Sequence, residues 1–217
     1  MKGNPSLRPE HSKYASLSAE YNYKRNNASV NFYFNRVDDM IHDVLLANTT
    51  DGYTYINLNK VNVSGLDFLE HFNITKNWSV NGGYSFTYAY DMINKEDLGG
   101  VSKNSGIAGM EYEWKIGNYK GIVSFSAKIY SWKTFDNYDA STYSFVKDTF
   151  PSYSLWRLSI IQYFFKNSVE LNLGVTNIFN YLNHTDLIEI DPGRRFFCML
   201  DISIDKLAEQ LKTKRKK

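Results

Sequence analysis

The chain has 217 residues, enough for one or two domains, with 43% hydrophobic, 16% aromatic and 22% charged residues. No run of ~18 apolar residues exists, which excludes a helical membrane span; the 17 Tyr, 14 Phe and 4 Trp exclude intrinsic disorder, and the lone Cys198 excludes a disulfide framework or a multi-cysteine zinc site. The net charge of +2 hides an asymmetry: residues 206–217 hold six of the 25 Lys and Arg and one of the 23 Asp and Glu, so the body carries 19 basic against 22 acidic residues and no basic face for nucleic acid.

Residues 1–10 contain no apolar stretch and no small-residue cleavage site of the secretory kind. Such a start implies a cytosolic chain or one lacking its natural beginning, and the body decides between them. From there the apolar period is two, the mark of strands with one apolar and one polar face. Ala15, Leu17, Ala19, Tyr21 and Tyr23 oppose Ser16, Ser18, Glu20 and Asn22. Val30, Phe32 and Phe34 oppose Ser29, Asn31 and Asn35. Around 61–74 the parity slips near Ser64 and Gly65, which predicts a β-bulge. Alternation resumes in 77–90, 104–116, 119–132, 168–179 and 193–204; in 153–165 only Trp156, Leu158, Ile160 and Phe164 keep step. With 13–24, 28–45 and 54–75, nine strands are predicted, most of ten or more residues. Ordinary strands have a mode of ~5–6 residues, whereas a tilted strand crossing a bilayer needs ~9–11.

The connections alternate in length. Short turns at 25–27, 75–77, 117–118 and 166–167 lie between longer loops at 46–53, 91–103, 133–152 and 180–192. Short turns on one rim and long loops on the other is the asymmetry of outer-membrane barrels. Trp78, Tyr112 and Trp114 fall towards the short-turn rim, and Tyr88, Tyr90, Trp132 and Trp156 towards the long-loop rim, as two interfacial belts would.

Several segments carry a resemblance. Residues 3–10 (GNPSLRPE), 57–69 (NLNKVNVSGLDFL), 173–180 (LGVTNIFN) and the run Pro192, Gly193, Arg194, Arg195, Phe196 resemble, in order, segments of the barrel of TonB-dependent outer-membrane receptors, in the style of the Bacteroidetes-type members. That family's barrel has roughly 22 strands around a plug. The resemblance implies an all-β, antiparallel, up-and-down transmembrane barrel segment, residues 1–205 being the carboxyl-terminal portion and 206–217 a basic tail. The implied partners are outer-membrane lipid, a plug and further strands outside this chain, the TonB complex through that plug, and a small-molecule nutrient of the siderophore-iron, haem or cobalamin class. No nucleic acid is implied. A stand-alone porin-like barrel is the first alternative and predicts closure among these strands; a soluble ligand-binding barrel is the second and puts the apolar parity inside.

No catalytic constellation stands out, so the chain is read as a non-enzyme with no cofactor. His11, His42, His71 and His184 are far apart; Cys198 falls on the apolar parity; Glu111 and Glu113 share the polar parity of one strand. The residues expected to contribute to ligand binding are the loop aromatics Phe135, Tyr138, Tyr143 and Phe145 of 133–152, with Tyr181 and His184 of 180–192, His184 being a candidate haem ligand.

Overall fold

The computed structural model describes residues 3–45, 53–117, 119–139, 144–182 and 193–205. Twelve strands are present among them: β1 His11–Tyr23, β2 Asn26–Leu45, β3 Tyr53–Asn73, β4 Trp78–Asp91, β5 Glu96–Asp97, β6 Asn104–Ile116, β7 Tyr119–Tyr130, β8 Lys133–Asp139, β9 Ser144–Phe150, β10 Tyr153–Phe164, β11 Val169–Thr176 and β12 Arg195–Ile202. The main sheet is a meander in the order β1-β2-β3-β4-β6-β7-β10-β11-β12, with the short β5 on β4. Every pairing is antiparallel, as hairpin connections require. The nine predicted strands are therefore all present. The loop predicted at 133–152 differs, because much of it is the separate hairpin β8–β9.

Register aligns apolar with apolar and polar with polar in rows that cross the sheet. The pairs Phe72–Val80, Val80–Met110, Met110–Phe125, Phe125–Leu158, Leu158–Val175 and Val175–Phe196 form one apolar row across seven strands. The adjacent row on the opposite face reads His71, Asn81, Gly109, Ser126, Arg157, Thr176, Arg195. A one-residue slip at any of these pairings would turn polar side chains into the apolar face. The row starts beside the short turn after β3 and finishes beside the long loop before β12, the stagger of tilted barrel strands.

The predicted bulge at Ser64 and Gly65 is absent. Pairing with β2 and with β4 runs unbroken through both residues. The parity slip has another cause: Val61, Val63 and Leu69 stand on the polar face, whereas Leu66, Phe68 and Phe72 stand on the apolar one. Gly65 lies directly between Tyr33 and Thr87, and the Tyr33 ring spans it to bring its hydroxyl 2.9 Å from Thr87 Oγ1. A Cβ at position 65 would sit 2.3 Å from that ring and 2.5 Å from the Phe86 carbonyl oxygen. Gly121 under Trp114 and Gly174 under Phe197 repeat the device, a ring over its cross-strand glycine.

A sheet one layer thick has little core of its own. Among the described residues the buried apolar side chains are Val37, Val61, Ala89, Ala127 and Phe150, while Leu17, Ile116 and Phe196 are 72%, 73% and 80% exposed. So much contiguous apolar surface, at ~25 cal/mol per Å², needs an apolar surrounding. Strands β1 and β12 each bond a neighbour on one side only among the described residues. The closure that a stand-alone barrel would require is not made within this sheet.

Candidate functional site

Strand parity and hairpin lengths sort the molecule into two rims, with short turns on one and long loops on the other. Residues 3–10 lie across it before β1 begins. Asn4 Nδ2 donates to the Tyr55 carbonyl at 2.8 Å. The Asn57 amide pairs with the Arg8 backbone in both directions, accepting its N–H at 2.8 Å and donating to its carbonyl at 2.9 Å, and also donates to the Asp39 carbonyl at 2.7 Å. The Arg8 guanidinium closes on Asp39 at 2.5 Å, and Asp39 itself takes a left-handed φ of 57°. Two segments singled out in the sequence, 3–10 and 57–69, are thus halves of one clasp. Asn57→Ala removes three hydrogen bonds and is expected to loosen this clasp by about 1–3 kcal/mol. Faster amide exchange over 3–10, with unchanged exchange in β7 and β10, is the measurement.

The other two segments form a second clasp. The Asn177 side chain accepts the Tyr181 N–H and donates to the Tyr181 carbonyl, both at 2.8 Å, turning the chain as it leaves β11. Asn180 Oδ1 then accepts the Arg194 N–H at 2.9 Å, which holds the approach to β12. Asn177 and Asn180 have φ of 51° and 54°, a left-handed conformation that asparagine tolerates better than most residues.

Between the clasps, two loops are tied together. Asp91 opens the first by accepting the Ile93 and Asn94 N–H groups at 2.8 and 3.1 Å. Lys103 pairs with Asp97, and this ammonium with the Tyr88 hydroxyl holds the Asp97 carboxyl below the usual carboxylate range. The hairpin β8–β9 joins through Lys147 Nζ to Glu96 at 2.6 Å and through the Gly100 N–H to the Thr134 carbonyl at 2.6 Å. At the foot of the hairpin, on the polar parity, Tyr153 stacks on Tyr130 (ring centroids 4.9 Å) and on Tyr181 (5.2 Å), with the buried Phe150 edge-on at 5.5 Å.

Of the predicted binding residues, Phe135 and Tyr138 fall on one strand, β8, opposite Asp148 and Phe145. Tyr143 and His184 lie outside the described residues. Of the stack at the foot, Tyr181 was expected as a loop residue, while Tyr130 and Tyr153 were missed, although their signal was legible: a tyrosine at the end of one predicted strand and another at the start of the next, on the same parity. Cys198 is on the apolar face, paired with Leu173. Glu113 is held by Lys120 at 2.9 Å. Among the described residues no three His, Cys, Asp or Glu converge as a metal site would need.

A family model described as TonB dependent receptor-like, beta-barrel, matches residues 1–178. Among solved structures the chain is similar to the copper transporter OprC, with 16% identity and a TM-score of 0.71 over 92% of this chain and 32% of that one. It is similar to a variant of the ferric enterobactin receptor PfeA of Pseudomonas aeruginosa (17%, TM-score 0.69, 91% and 31%) and to the FrpB iron transporter of Neisseria meningitidis (13%, TM-score 0.69, 90% and 31%). No curated protein matches. The chain spans about a third of the length of these solved structures.

Proposed function

From the premise that this chain belongs to the TonB-dependent receptor β-barrel family, a family of the bacterial outer membrane, we propose that it serves as wall and loops of a receptor for TonB-dependent uptake of a scarce nutrient. On this reading residues 1–205 are the carboxyl-terminal portion of the barrel and 206–217 a basic tail. The apolar face meets lipid and the polar face meets a plug supplied by chain outside these residues, through which TonB acts. The nutrient belongs to the siderophore-iron, haem or cobalamin class. The solved receptors it resembles are named for copper, ferric enterobactin and iron.

One observation carries the reading: a nine-stranded meander with one apolar face and all its long loops on one rim, whose outer strands lack partners within the sheet. A backbone edge cannot face hydrocarbon unpaired, so β1 and β12 call for further strands. Tyr130, Tyr153 and Tyr181 supply flat faces and hydroxyls at the mouth, suited to a planar or phenolic ligand.

The test is uptake by a nutrient-starved host whose receptor lacks residues 133–150. Labelled ferric siderophore, haem and cobalamin are offered separately. Uptake of one class should fall at least tenfold, the loss expected when about 1.4 kcal/mol of binding is removed. Undiminished uptake of all three overturns the nutrient classes and the loop assignment together.

A further inference from the structure

The opposite rim carries a different chemistry. Resting on the membrane reading above, we propose that the short-turn rim is a binding surface for the phosphate headgroups of anionic phospholipid in the leaflet around it. The turns 24–25, 74–77, 117–118 and 165–168 contain Lys24, Arg25, Lys76 and Lys166 and no Asp or Glu. All four cations are exposed. The long loops 46–53, 91–103, 133–152 and 180–192, by contrast, contain ten Asp and Glu against four Lys.

Each basic turn stands beside an aromatic ring. The Lys24 ammonium lies 5.1 Å from the centre of the Tyr23 ring, and Tyr23 is on the apolar parity. Lys76 is two residues before Trp78, whose ring packs on Tyr112 at 4.7 Å, again on the apolar parity. Lys166 follows Phe165, which is 65% exposed. Amphipathic aromatic rings settle at headgroup depth. A lysine or arginine beside one keeps its stem against apolar surface and its charge at the phosphates.

The turns are also fixed to one another. Asn73 donates its backbone N–H to Asn26 Oδ1 at 2.8 Å and its side-chain amide to the Arg25 carbonyl, tying the turn after β1 to the turn after β3. Of the nearby acids, Glu170 opposes Asp201 on the polar face, Glu113 is already paired with Lys120, and Glu70 stands on the apolar face beside Gly82. Ser203 donates its N–H to the Ser168 carbonyl at 2.8 Å, so β12 also ends on this rim.

The experiment reconstitutes the whole receptor containing this chain into nanodiscs of equal phosphatidylcholine and phosphatidylglycerol, and measures which lipid stays bound after detergent exchange. Wild type should retain phosphatidylglycerol over phosphatidylcholine by on the order of fivefold, the factor for one basic side chain at an anionic surface. The preference should vanish in molar salt, where the screening length falls to about 3 Å, and in the variant Lys24→Gln, Arg25→Gln, Lys76→Gln, Lys166→Gln. No preference in wild type, a preference indifferent to salt, or one that survives in the variant overturns the proposal. Quenching of the tryptophans by brominated lipid is followed in parallel. Its loss in wild type would overturn the membrane reading instead; if only the variant fails to insert, the salt dependence of wild type decides.

Discussion

Phe125→Arg is expected to destabilise the membrane-inserted barrel by about 2–4 kcal/mol, the cost of a guanidinium on the lipid face near the bilayer midplane. Phe125 lies at the middle of β7, between Met110 and Leu158 in the apolar row, with its ring 5.2 Å from Trp156. The neighbouring change Ser124→Lys is expected to cost less than about 1 kcal/mol. Its side chain enters the polar face directly opposite Glu111, where opposite charges support one another. Urea unfolding in phospholipid vesicles, followed by tryptophan emission, measures both. The contrast separates the apolar face from the polar one. Equal costs for the two substitutions would sink the assignment of faces.

Gly65→Ala is expected to cost about 1–3 kcal/mol, the range for added methyl groups in a packed position. Its Cβ would collide with the Tyr33 ring and also with the Phe86 carbonyl oxygen, and the second collision is with backbone that cannot swing aside. Tyr33→Ala should therefore rescue Gly65→Ala only in part. At Gly121 the nearest atoms are all of the Trp114 side chain, 2.1–2.8 Å from a Cβ, so Trp114→Ala should rescue Gly121→Ala almost completely. Double-mutant cycles on unfolding free energy separate the two cases. Full rescue at Gly65 would show that the Tyr33 ring alone demands the glycine.

The parity of the strands and the alternation of short and long connections were legible because each strand sees only two environments, and its residues alternate between them. The slip at Ser64 and Gly65 was misread as a bulge. Val61 and Val63 are apolar residues on the polar face, so the alternation changes parity there with no residue inserted, and sequence alone does not tell the two cases apart. The hairpin β8–β9 escaped for a different reason: Lys133, Asp136 and Asp139 interrupt the apolar alternation by which the other strands are read. At the rim, the segments 3–10 and 57–69 were recognisable as signatures, but nothing local says that Asn57 answers Arg8 across 49 positions. The candidate binding residues were chosen by loop membership. Phe135 and Tyr138 do share β8, while Tyr130 and Tyr153 of the stack are strand ends, which pairing brings together and sequence keeps apart.

The climb of the apolar row has a bearing on how substitutions in such a wall should be ranked. Phe72, Phe125 and Phe196 are linked by an unbroken ladder of direct neighbours, yet they stand at three altitudes in the bilayer: near one surface, at the centre, near the other. The row is a ramp. Tolerance of a charge is a property of altitude, so its contours cut obliquely across the ladder, and a map of permissive sites drawn strand by strand would show a slanted band where counting along the chain suggests a level one.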